Sequence, residues 1–184
     1  MRKPLSSLVL ILSLLASGAA HSDASVAGTP KVSFHAEGSP GALDIEGTTA
    51  DLRVADDGKT LTFTVPIDSV TTGITLRDHH MRSEYAETSL FPNATLTLDR
   101  ASIPWPSEVG QSASGVADAV FTAHGIPLPA QVTYVAKRTK TGTRLTGEFD
   151  FDVSRHGIQI PSYLGVTVDP KMHAKATIDL LGVP

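Results

Sequence analysis

From Val32 to Leu180 the chain repeatedly places apolar residues at every second position, and this period of two selects β-strands with one buried face. Val32, Phe34 and Ala36 alternate with Ser33, His35 and Glu37, and Leu43 and Ile45 with Asp44 and Glu46. Leu52 and Val54 lead into Asp56-Asp57-Gly58-Lys59, whose Asp-Gly step marks a hairpin. Leu61, Phe63, Val65 and Ile67 form the clearest inward row, opposed by Thr60, Thr62, Thr64 and Pro66. Ala94, Leu96 and Leu98 follow, then Ala117, Ala119 and Phe121, a turn over Ala123 to Pro127, and Val132 with Tyr134. Leu145, Phe149, Phe151 and Val153 make another inward row; Met172, Ala174, Ala176, Ile178 and Leu180 make the last. The pattern predicts an all-β domain of about eight antiparallel strands. Closing them into a barrel removes exposed edges and leaves room for one small ligand. A two-sheet sandwich fits the same alternation. A membrane-embedded barrel does not: the outward rows are threonine and charge, and aromatics make up only 5% of the chain.

The alternation breaks between Thr72 and Pro92, where charge, histidine and apolar residues crowd together. Thr75 and Asp78 have capping-box spacing, and Asp78 with Arg82 is an i,i+4 acid–base pair. Met81 and Tyr85 share one face. The stretch predicts a short helical connection around residues 75–90.

Before the alternation, Arg2 and Lys3 precede an apolar run from Leu8 to Leu15 and the small residues Ala16 to Ala20. This is the pattern of a signal peptide, and the run is too short to span a bilayer. We expect cleavage near Ala20, export to the periplasm or beyond, a flexible leader over 21–30 and one domain over 31–184. Loss of Arg2 and Lys3 makes the formal charge more negative than −4, which gives no electrostatic basis for binding nucleic acid. The chain has no cysteine, so neither a disulfide nor a thiol catalyst is available.

The words T-G-I-T-L-R-D-H-H-M-R-S and F-P-N-A-T-L-T-L resemble the YceI-like family, whose pattern here is R-D-x-H-L-R-S followed by Y/F-P and a strand. Arg77, Asp78, His80, Arg82 and Ser83 match it, with Met81 in place of leucine. Phe121-Thr122-Ala123-His124-Gly125-Ile126 is similar to the family's L-T-x-H-G-V turn, and Met172 to Leu180 to its closing strand. Where the family has R-S-D-F-G-I, this chain has Val153-Ser154-Arg155-His156-Gly157-Ile158. The resemblance implies a lipocalin-like barrel around an apolar tunnel for a polyisoprenoid, an isoprenoid quinone or another long-chain amphiphile.

On that expectation Phe63, Val65, Ile67, Leu96, Leu98, Tyr134, Phe149 and Phe151 line the tunnel; a solid core of the same residues satisfies the alternation equally. Arg77, Asp78, His80, Met81, Arg82 and Tyr85 either receive a ligand head or close one end of the barrel, with the Asp78–Arg82 pair favouring closure. His79 and His80 point roughly 100° apart on a helix and do not chelate one ion, whereas His35 and His173 share the outward parity of their strands. No G-x-S-x-G elbow or acid–base cluster points to catalysis. A prenyl unit gains roughly 3 to 4 kcal/mol on leaving water, and a bilayer gives the same gain. We therefore expect a carrier that exchanges its ligand transiently with membranes, needs no cofactor and is not an enzyme. The competing expectation is a stress-associated exported domain that binds a metal ion or a protein through its outer face. The oligomeric state stays open, a dimer included.

Overall fold

The computed structural model describes residues 22–23, 25–39, 43–160, 162–163 and 166–181. The expected signal peptide lies outside the described residues. The strands are β1 (Ser22–Asp23), β2 (Val26–Ser39), β3 (Leu43–Thr49), β4 (Arg53–Asp56), β5 (Thr60–Pro66), β6 (Asn93–Asp99), β7 (Ser112–Ala123), β8 (Ile126–Arg138), β9 (Gly142–Asp152), β10 (Ser162–Tyr163) and β11 (Val166–Leu181). Nine of them have four or more residues, close to the eight expected. All pair antiparallel in one curled sheet of order β1-β4-β5-β6-β7-β8-β9-β11-β2-β3, with β10 on the start of β11. β2 begins at Val26, inside the leader expected over 21–30. Its start is held by backbone pairing, Val26 opposite Leu180 and Ala27 opposite Asp179, and by Val26 packed against the core.

The turns follow their residues. At Asp57-Gly58 the Asp57 carboxylate accepts from the Lys59 and Thr60 amides, and Gly58 supplies φ +85° between β4 and β5. His124-Gly125 joins β7 to β8 with both residues at positive φ, 49° and 74°, as a two-residue turn of the I′ kind requires.

The sheet does not close through a continuous ladder. Instead the edge strand β3 meets the segment after β5, where Thr48 and Thr71 exchange backbone hydrogen bonds of 2.8 and 2.9 Å and the hydroxyls of Thr49 and Ser69 meet at 2.7 Å. One end of the barrel carries the β2–β3 hairpin, the β7–β8 turn and the connection between β5 and β6. The other end is filled by packed, buried side chains that include Leu61, Leu98, Ile103, Ala136, Leu145 and Leu180. Trp105 packs there too, donating to the Arg100 carbonyl at 3.2 Å beneath the Arg100 guanidinium, which pairs with Asp56 at 3.0 Å.

The connection contains helix α1 (Thr75–His80), which passes into a π-helical turn at Met81–Tyr85. The capping box is absent: Ile74 occupies the N-cap and Thr75 is the first helical residue, so its hydroxyl caps nothing. Glu87 ends the helical stretch at φ 45°, where glycine is usual, and the Thr88 amide closes back on the Arg82 carbonyl at 2.9 Å.

Candidate ligand-binding site

Between the packed end and the connection lies an apolar cavity of about 220 Å³. Phe63, Val65, Ile67, Leu96, Leu98, Tyr134, Phe149 and Phe151 all stand on its wall. The parity of the strands places them there, because alternate side chains of a curled sheet converge on its axis. Space remains because Ala94, Ala174 and Ala176 occupy inward positions and Gly47 and Gly147 contribute no side chain. At Gly47 a β-carbon would sit 2.2 Å from the Phe34 ring, so the ring lies directly on backbone. Ala117 and Ala119, of the same inward parity, are instead absorbed into the solid core.

An aromatic cluster forms one wall. The Phe121 ring lies 5.0 Å from Phe149, 4.9 Å from Phe151 and 5.2 Å from the His156 imidazole, near edge-to-face in each case. His156, 1% exposed, takes the aromatic position of the R-S-D-F-G-I pattern, and its Nδ1 lies 2.9 Å from the Ile126 carbonyl, so that nitrogen carries the proton. Phe34 and Phe121 also stand on the wall; both lie on apolar rows of the alternation although neither is among the expected tunnel residues, whereas Ile158 follows a turn and has no strand parity to read. The cavity is closed at the packed end by Leu98, Ile103, Tyr134 and Leu145. At the connection end its lining, Ile67, Phe151 and Ile158, is half-buried.

The polar residues of the connection hold chain to chain. Asp78, 6% exposed, accepts from the Thr71 hydroxyl at 2.7 Å and from the Thr72 amide at 2.8 Å, and also from the Thr72 hydroxyl. Burial opposes its ionisation, but the Thr72 and Thr71 hydroxyls, the Thr72 amide and the nearby Arg82 charge outweigh burial and hold the carboxyl below its usual range. The expected Asp78–Arg82 ion pair does not form. Gly73, at φ +76°, folds the Thr71-Thr72 segment back onto the carboxylate, and Arg82 donates instead to the Val70 carbonyl at 2.7 Å. The Arg82 Nε is buried without a protein partner. Arg77 donates to the Thr72 hydroxyl and carbonyl, both at 2.8 Å. Three side chains thus converge on Val70-Thr71-Thr72, the segment that forms the seam with β3.

Met81 and Tyr85 are half-buried, and His80 lies 3.9 Å from Glu84. His35 and His173 stand opposite one another in register, yet each imidazole turns to its own flanking strand: His35 to Asp44 at 3.0 Å and His173 to Asp150 at 2.8 Å. A further contact had no signal in the spacing. His124 bonds Glu87 through Nε2 at 2.7 Å and the His156 carbonyl through Nδ1 at 3.2 Å, under the Phe91 ring, which pins the connection to the β7–β8 turn.

The family described as the YceI-like domain matches residues 18–180. No curated protein matches the chain in sequence. Among solved structures, a polyisoprenoid-binding domain from Saccharophagus degradans implicated in plant cell wall breakdown aligns with TM-score 0.68 and 14% identity, covering 86% of this chain and 97% of that one. BcnA of Burkholderia cenocepacia aligns with TM-score 0.63 and 14% identity over 81% of this chain and 94% of its own. At such identity the likeness is one of fold.

Proposed function

The chain belongs to the YceI-like family, and from that premise we propose that it is an exported carrier of a long apolar amphiphile, a polyisoprenoid or isoprenoid quinone, held in the barrel. The observation that carries this reading is the apolar cavity itself, walled by Phe63, Leu96, Phe149 and Phe151 and kept open by Ala94, Ala174 and Ala176. An apolar pocket takes an apolar chain by the hydrophobic effect alone, roughly 0.8 kcal/mol per buried CH₂. A membrane competes on equal terms, so the ligand equilibrates between the two. The polyisoprenoid-binding neighbour supports the ligand class. The Arg2-Lys3 start and the apolar run from Leu8 to Leu15 support export.

Binding without catalysis is supported by Ser83, the serine set among charged residues. Its hydroxyl donates to the His79 carbonyl at 2.8 Å, while the His79 Nδ1 lies 3.4 Å away, so the proton is directed to backbone and not to a base. The outer-face metal reading is weakened by the separate carboxylate partners of His35 and His173.

Native mass spectrometry and lipid extraction of protein purified from its own host test the proposal. A bound mass that matches a prenyl lipid is the expected result, and an apo mass from cells in which such lipids are abundant overturns it. N-terminal sequencing of the exported protein should begin near His21.

A further inference from the structure

Among the described residues nine large apolar side chains are left exposed, and five of them lie at one end of the barrel. Ile74, Leu76 and Leu90 are on the connection, Leu43 is at the β2–β3 hairpin and Ile126 at the β7–β8 turn; Leu90 and Leu76, at 68% and 65%, are the most exposed of the nine. The opposite end is closed by packed core and the lining at this end is half-buried, so we take this end as the cavity mouth. Solvent exposure of long aliphatic side chains is unfavourable at about 25 cal/mol per Å², and their concentration at a cavity mouth marks a contact surface.

The cavity's size indicates which contact. At about 220 Å³ it is smaller than the roughly 300–1,000 Å³ of pockets that enclose a drug-sized ligand. On that volume a long prenyl chain would enter by one end only, and the remainder would leave through the mouth across the aliphatic rim. In water that remainder would forfeit about 0.8 kcal/mol for each exposed CH₂; in a bilayer it forfeits nothing.

We propose that the connection end is a membrane-docking face on which Leu76, Leu90 and Ile74 enter the headgroup–acyl boundary and set the cavity mouth against lipid. The proposal rests on the carrier reading for its purpose, but the contact is a property of the surface alone. Charges of both signs lie beside these residues on the connection, Arg77 and Arg82 with Glu84 and Glu87. Docking is therefore driven by apolar burial and needs no anionic lipid.

Flotation with vesicles of pure phosphatidylcholine tests the face, using the full exported chain and its Leu76→Glu, Leu90→Glu double variant. The wild type should float with the vesicles at low and high salt alike, and the double variant should lose at least about tenfold in partitioning, a change of about 1.4 kcal/mol. Transfer of a fluorescent polyprenol from those vesicles should slow in parallel. A wild type that stays with the soluble fraction overturns docking, as does a double variant that floats equally well. A concentration-dependent dimer that the same substitutions dissociate, without vesicle binding, assigns the face to a second copy and also overturns it. If the wild type floats but neither protein takes up prenol from detergent, docking stands and the carrier reading fails.

Discussion

Glu87 and His124 are the two described non-glycine residues with a left-handed backbone, at φ 45° and 49°, and they are bonded to each other at 2.7 Å. A non-glycine residue in that region costs on the order of 1–3 kcal/mol and persists where its surroundings over-determine it. Here the side chains do so: one ends the helical connection, the other turns β7 into β8, and their bond fixes the first on the second. A double-mutant cycle of Glu87→Ala and His124→Ala should return a coupling of about 0.5–1 kcal/mol, at the low end because Glu87 is 45% exposed. Urea denaturation of the four proteins checks it; strict additivity would mean that the bond holds nothing.

Asp78 should make folding sensitive to acid. Its folded-state pKa lies below its ordinary value, so its contribution is complete above the unfolded carboxylate pKa near 3.9. The contribution is lost as pH falls through the lower, folded value. Asp78→Asn should destabilise by about 1–3 kcal/mol at neutral pH, because the Thr71 and Thr72 donors lose a charged acceptor. The difference between the two proteins should shrink below about pH 4. Melting followed from pH 7 downwards tests this, and a gap that widens in acid contradicts it.

Ala174 faces the cavity, and Ala174→Phe should fill the space with little loss of stability while lowering uptake of prenol at least about tenfold. A loss of about 1–3 kcal/mol with unchanged lipid content is the signature of an overpacked solid core instead.

The guanidinium groups of Arg77 and Arg82 are bonded to Thr72 and Val70. Arg77→Ala with Arg82→Ala should therefore weaken a prenyl phosphate and a neutral prenol by the same factor, through a loosened connection. Titration with both ligands reads the ratio. A loss confined to the phosphate would make these arginines head-group ligands.

Gly47→Ala drives a methyl into the Phe34 ring and should cost about 1–3 kcal/mol, with most of it recovered when Phe34→Leu is added. Equal destabilisation of the single and double variants, measured by denaturant midpoint, would argue against the contact.

Strand parity carried most of the fold. Phe63, Val65, Leu96, Leu98, Phe149 and Phe151 are inward because alternation has one meaning in a curled sheet, and the Asp57-Gly58 hairpin was legible from its dipeptide. The connection was legible as an element, since its residues break the alternation, but its bonds were not. Helical spacing pairs Asp78 with Arg82, whereas the fold brings Thr71 and Thr72 back over the helix start, a tertiary placement that depends on Gly73 and on the bridge to Thr48. Glu87 and His124 stand 37 positions apart and meet through docking of whole segments. The early start of β2 left no mark because Ala27, Gly28 and Thr29 show no alternation and backbone pairing is indifferent to their small side chains.

A barrel closed by an unbroken ladder has a girth fixed by its strand number and stagger. In this chain β3 meets the segment after β5 through the bridge at Thr48 and Thr71 and the hydroxyl contact of Thr49 with Ser69. The circumference is therefore adjustable there: parting two backbone bonds widens the wall without unzipping a strand. The Thr48 and Thr71 amides should exchange with solvent faster than those of the β7–β8 ladder, and an occupant of the interior would be expected to change that rate before any other.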